Sequence, residues 1–159
     1  MTIYIFFTLI LLYILFSISK EDIQTMLISE TKLRIFALVG YFLLIYLGSS
    51  NKEINIINLI ISNSFSMINI FLIMYSIAYI SYKLIKIKSL GMGDIKLSSI
   101  SAIWLGFELS LISICISFLL SAMYSLYAKI TKKFKMFHQY PFAPFLSIGI
   151  FCSWLLNKI

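Results

Sequence analysis

Uncharged apolar runs alternate along this chain with short charged or turn-rich breaks. The first run, 2–19, is rich in Ile, Leu and Phe, and the first positive charge, Lys20, follows it. At 1.5 Å per residue it crosses most of a bilayer core of roughly 30 Å. No basic residue precedes it and no small-residue cleavage site follows it, so we interpret it as a retained helix rather than a signal peptide.

The same alternation predicts six membrane-spanning segments, at 2–19, 35–50, 65–82, 95–107, 109–128 and 140–157. The uncharged stretch 54–82 is too long for one straight span, so we interpret its Asn- and Ser-containing part, 54–64, as an interfacial helix or a re-entrant loop. The segment 95–107 is too short to cross unaided and is expected to pack inside the bundle. In the charged connection 20–34, apolar residues keep a near-helical spacing, which extends the first helix past Asp22.

Composition places the whole chain in the membrane. Hydrophobic residues make up 61% of it and charged residues 12%, with a mean hydropathy of +1.00. Soluble domains carry about 25% charged residues. We therefore predict an all-α integral membrane protein with one transmembrane domain, 1–159, surrounded by the lipid bilayer.

The basic residues are distributed asymmetrically between the two sides of the predicted bundle. The net charge is +7, and no basic face has room to form, so nucleic acid is not expected as a partner. Of the 13 basic residues, only Lys52 and Lys158 lie on the side of the bundle that also carries the two termini. By the positive-inside rule this arrangement places both termini outside and Asp22 and Asp94 at one cytoplasmic face. The other side carries Lys20, Lys32, Arg34, Lys83, Lys86, Lys88, Lys96, Lys129, Lys132, Lys133 and Lys135.

Cysteine and histidine give no support to metal or redox chemistry. Cys115 and Cys152 lie in separate apolar segments, without a paired cysteine or a neighbouring histidine. Buried thiols behave as small apolar residues. His138 follows a basic run and is interpreted as an interfacial residue. We expect neither a metal nor a cofactor.

Asp22 and Asp94 are the only aspartates in the 159 residues. Two carboxylates a few Å apart do not readily both ionise, so the pair holds one proton. The ionised member accepts a proton from water and the protonated member donates to a scissile carbonyl, which is general acid–base peptide hydrolysis. Taken singly, Asp94 has the alternative of a helix N-cap, and Asp22 that of a solvated interfacial charge.

The glycines and the lysine around Asp94 suggest how a substrate could reach the aspartates and how their charge could be tuned. Gly91 and Gly93 permit backbone conformations closed to other residues and the close approach of an extended substrate peptide. Lys96 either extends its ammonium group to the interface or tunes the aspartate pair electrostatically.

Three stretches resemble the type IV prepilin peptidase family of GxGD intramembrane aspartyl proteases. The stretch 91–97 with Trp104-Leu105-Gly106 resembles the second catalytic motif, and Asp22-Ile23 with 28–30 resembles the first, where Ser29 and Glu30 replace the usual Pro and Asp or Asn. The stretch Pro141-Phe142-Ala143-Pro144 is similar to the late Pro-Phe-Gly-Pro segment. The resemblance covers Asp22 to about Trp154 and implies that Asp22 and Asp94 are catalytic, with Gly91, Gly93, Lys96 and Pro144 as motif or substrate-binding residues.

The resemblance also implies a substrate and a location. The expected substrate is the N-terminal leader of a prepilin-like protein, cut at the cytoplasmic side of the inner membrane before its hydrophobic helix, usually after a glycine. Because the chain starts directly at the first span, peptidase activity without N-methylation is expected. A presenilin-like protease is disfavoured because Glu21, not Tyr, precedes Asp22. The alternative is a non-enzymatic membrane component of a pilus or secretion assembly system.

Overall fold

A computed structural model describes residues 2–50, 55–86, 90–131 and 140–156. Within these ranges the chain forms five α-helices and no strand. Their bounds are α1 Thr2–Thr25, α2 Glu30–Ser50, α3 Ile56–Ile85, α4 Met92–Ile130 and α5 Ala143–Leu156. The all-helical fold is as predicted. His138 and most of the basic loop around Lys132 lie outside the described residues.

Four of the helices, α1 to α4, are long and apolar enough to cross a membrane, whereas α5 has 14 residues. Large apolar side chains such as Phe16, Leu38 and Phe65 are exposed on their outer faces. Exposed apolar side chains in such number belong against lipid. The chain is therefore a multi-pass membrane protein.

Six separate helices are not confirmed, because predicted segments four and five are joined in one element, α4, across a kink at Gly106. The 39 residues of α4 are interrupted at Gly106, where φ is 75° and ψ is −178°. A straight helix of this length would measure roughly 58 Å, about twice the bilayer core. The break falls where the sequence predicted the end of the fourth segment.

Contacts on both sides of Gly106 show that α4 folds back on itself. The Phe118 ring lies 5.4 Å from the Phe142 ring, and the next residue, Ala143, donates its N–H to Asp22. Asp22 in turn interacts electrostatically with Asp94. A straight helix would separate residues 94 and 118 by roughly 36 Å. The first half of α4 (92–105) and its second half (107–130) therefore run in opposite directions.

The prediction for 54–64 needs a correction. Its described residues, 55–64, form neither a separate interfacial helix nor a re-entrant loop. Asn55 caps α3, accepting the Ile57 N–H at 3.0 Å, and α3 then continues unbroken to Ile85. The polar residues that suggested a break have partners within the bundle. Asn63 donates to the Ile103 carbonyl at 3.0 Å, and the Ser64 hydroxyl lies 3.1 Å from that of Tyr41.

The first half of α4 is the centre of the bundle, as expected for a segment too short to cross alone. Its side chains from Asp94 to Leu105 are almost all buried. Trp104 stacks on Phe36 of α2 at 5.4 Å, meets Trp154 of α5 edge-on at 5.8 Å, and donates its indole N–H to the Phe36 carbonyl at 3.0 Å. This packing fixes the depth and rotation of the helix that carries Asp94.

Candidate active site

Asp22 lies in the last turn of α1, which continues to Thr25 as the near-helical spacing predicted. The side chain is only 5% exposed. Its Oδ2 accepts the Ala143 N–H at 3.0 Å, and the Phe142 N–H lies near the carboxylate. The first N–H groups of a helix have no partner within the helix and favour a negative charge. Asp22 therefore caps α5 from another helix.

Asp94 lies in the first turn of α4 and is 9% exposed. Its carboxylate lies near the Gly91 N–H. Gly91, not Asp94, is the N-cap residue of α4, so the N-cap alternative for Asp94 is not borne out. Its Oδ1 is buried and has no hydrogen-bond partner among the described residues. A buried carboxyl oxygen without a partner costs free energy, and this one lies beside a second carboxylate.

Asp22 and Asp94 come from different helices, and both are buried near enough to each other to interact electrostatically. The interaction between Asp22 and Asp94 is electrostatic and repulsive when both are charged. A shared proton removes that repulsion.

The two motif glycines serve close packing. Gly91 has an extended backbone with φ at −75°, and Gly106 has the only positive φ among the described glycines. A Cβ on Gly91 would lie 3.2 Å from the Asp94 Oδ2, and one on Gly93 would lie 3.1 Å from the Ile28 Cβ. Neither Gly91 nor Gly93 has a positive φ, so the prediction that they adopt backbone conformations closed to other residues is wrong. The predicted close approach is seen, but the approaching atoms belong to Asp94 and Ile28 of the same chain.

Lys96 and Pro144 lie near the aspartates without a described contact to them. The Lys96 ammonium pairs with Glu30 Oε1 at 2.6 Å, so its described partner is an acid of α2. Pro144 is the second residue of α5, a position where proline costs no helical hydrogen bond. It follows directly on the Ala143 N–H that binds Asp22.

Sequence reasoning missed Glu21 and Glu30, two acids that organise this end of the bundle. Glu21 accepts the Ser29 N–H at 3.3 Å and pairs with Lys32 at 3.3 Å, which closes the connection between α1 and α2. The proximity of Glu21 and Ser29 in sequence was a usable signal. Glu30 and Lys96 are 66 residues apart, so no local pattern relates them.

Among the described residues, no group of three His, Cys, Asp or Glu side chains is placed to hold a metal ion. Cys115 and Cys152 are both free thiols. The site is thus built from carboxylates, backbone N–H groups and the apolar walls of the bundle.

Fold and site together define a polytopic helical membrane protein with two buried aspartates at one end of its bundle. A family model described as the type IV leader peptidase family matches residues 9–126, more than half of the chain and including both aspartates. The chain belongs to this family and is a peptidase, which confirms the resemblance seen in its motifs. No curated protein and no solved structure matches it.

Proposed function

We propose that this peptidase is an aspartic endopeptidase that cleaves the N-terminal leader of prepilin-like proteins at the cytoplasmic face of the inner membrane. The observation that supports the proposal is that the only two aspartates are both buried and interact electrostatically, and that Asp94 has an oxygen without a partner among the described residues. A hydrolytic pair requires such an arrangement, whereas two capping residues would not need to meet.

The hydrogen bonds divide the roles between the two acids. Asp22 receives N–H groups from the start of α5, which favour its charged form, so it is the base that takes a proton from water. Asp94 then carries the shared proton and donates through Oδ1 to the scissile carbonyl. Water adds to the carbonyl carbon, and Asp22 passes the proton that it took from water to the leaving amine as the C–N bond breaks. A hydroxyl of the tetrahedral intermediate returns a proton to Asp94 as the carbonyl re-forms.

The test is replacement of each aspartate by its uncharged isostere. Asp22→Asn and Asp94→Asn are expected to abolish leader cleavage during co-expression with a prepilin-like protein, because an amide neither takes a proton from water nor supplies an acidic proton. N-terminal sequencing of the substrate measures cleavage, and the membrane fraction measures insertion.

Glu108→Gln is the matched control, since it makes the same chemical change at an exposed acid in the second half of α4. It is expected to process normally. Normal processing by either aspartate variant would remove that residue from the mechanism and leave the family's peptidase activity to be explained by other groups.

A further inference from the structure

A cleft of about 270 Å³ opens between α2 and the first half of α4. Its polar and apolar parts are separated along the helix axis. Charged side chains lie near the start of both helices, and an apolar floor lies deeper, with Ala37 roughly 10 Å below Glu30 at 1.5 Å per residue. The lining residues are Glu30, Leu33, Arg34, Ala37, Lys96 and Ile100.

The charged end of the cleft carries two cations and one anion. Lys96 and Arg34 both interact with Glu30, the former at 2.6 Å. The Lys96 and Glu30 side chains are 42% and 66% exposed, and exposed ion pairs contribute little to stability. An incoming anion therefore finds a net positive charge and an ion pair that is easily rearranged.

Arg34 is the only arginine in the chain, and the other 12 basic residues are lysines. Either residue type serves as a topology signal. Only arginine presents a rigid planar group that binds a phosphate through two parallel hydrogen bonds. Its position at the charged end of an apolar cleft matches the polarity of a lipid, which has a charged headgroup and apolar chains.

We infer that this cleft binds one anionic phospholipid, with its phosphate between Arg34 and Lys96 and an acyl chain along Leu33, Ala37 and Ile100. A free phosphate would use only the charged end and leave the apolar floor uncovered. The lipid would lie beside the start of α4, two residues from Asp94. The inference rests on this cleft alone and holds whether or not the aspartates are catalytic.

The test uses purified protein in phosphatidylcholine nanodiscs with a trace of phosphatidylglycerol that carries a photoreactive acyl chain. Peptide mapping is expected to find labelling concentrated at residues 33–37 and 100. Arg34→Gln should lower this labelling about tenfold or more, because a hydrogen-bonded charge contributes about 1.5–3 kcal/mol. Arg34→Lys should restore part of it.

Lys20→Gln is the matched control, because it removes an exposed cation from the same end of the bundle, outside the cleft. Its labelling should equal that of the unchanged protein. Ala37→Phe narrows the apolar floor and should lower labelling while the charged end stays intact. A thermal melt of each variant verifies folding.

Three outcomes would overturn the inference. Equal labelling by a photoreactive phosphatidylcholine would show that the cleft does not select an anion. Displacement by glycerol phosphate at low concentration would assign the charged end to a soluble phosphate. Displacement by a prepilin-like peptide, with no change on Arg34→Gln, would assign the cleft to the substrate.

Discussion

At the scale of single residues, Asp22 and Asp94 each lie against the backbone N–H group of another residue. Asp22 accepts the Ala143 N–H from 121 residues away, and the Asp94 carboxylate lies near the N–H of Gly91. These contacts occupy one side of each carboxylate and orient it. A side chain held in this way loses little conformational entropy on reaching the transition state.

Gly91 provides the most selective test of this orientation. A Cβ there would lie 3.2 Å from the Asp94 Oδ2, so Gly91→Ala should displace the carboxylate by a few tenths of an ångström. Because misplacement of a reacting group slows catalysis steeply, leader cleavage should fall about tenfold. The initial rate of cleavage by purified enzyme is the measurement.

Stability should hardly change in Gly91→Ala, since residue 91 is exposed and precedes the helix. Met92→Ala, at the exposed neighbouring position, is the control and should cleave at the normal rate. Full activity in Gly91→Ala would mean that the orientation of Asp94 in the structure is not the one used in catalysis.

At the scale of elements, the bend in α4 determines which residues can meet. It returns the second half of α4 to the end of the bundle that holds Asp94, where Phe118 packs against Phe142. The start of α5 is thereby held over Asp22. The bend depends on Gly106, whose φ of 75° and ψ of −178° lie in a region essentially restricted to glycine.

Substitution of Gly106 is therefore expected to destabilise the bundle. Gly106→Ala should lower the free energy of unfolding by about 1–3 kcal/mol. Gly106→Asn should lose a similar amount, because asparagine tolerates the left-handed helical region but not a ψ near 180°. Unfolding in mixed micelles with increasing SDS measures both; recovery of stability in the asparagine variant would contradict the backbone conformation described.

Gly149 lies where α5 packs closely against the second half of α4. A Cβ at this position would clash with the Ser113 carbonyl and the Ser117 hydroxyl. Gly149→Ala should cost about 1–3 kcal/mol of stability, since overpacking shifts the backbone. It should also reduce leader cleavage, because α5 supplies the N–H group that holds Asp22.

The Gly149 prediction has two controls in the same SDS titration and cleavage assay. Ile148→Ala alters the exposed neighbouring position and should leave both readouts nearly unchanged. Adding Ser117→Gly to Gly149→Ala should recover only part of the loss, because the Ser113 carbonyl belongs to the backbone and remains. Complete recovery would show that the close approach is limited by Ser117 alone.

At the scale of the whole molecule, the end of α1 and the starts of α2, α4 and α5 converge around the aspartates. The distribution of basic residues predicts that this end faces the cytoplasm. A reporter fused after Lys88 should therefore read cytoplasmic, and one fused after Lys52 should read external. An external signal after Lys88 would overturn the orientation and the site of leader cleavage with it.

Much of the architecture follows from local pattern. Apolar run length predicted α1, α2 and the late helix α5, and helical spacing extended α1 past Asp22. The prediction failed at 54–64, because the hydrogen-bond partners of Asn63 and Ser64 lie on other helices. A single sequence shows the polarity of such residues but not their partners.

The sequence by itself determined that the chain is a helical membrane protein and that its two aspartates are the acids to examine, because hydropathy and residue type are local properties. Only the tertiary structure decided that Asp22 caps α5, that Lys96 pairs with Glu30, and that α4 turns back at Gly106. These are contacts between distant residues, and the packing of all five helices selects them together.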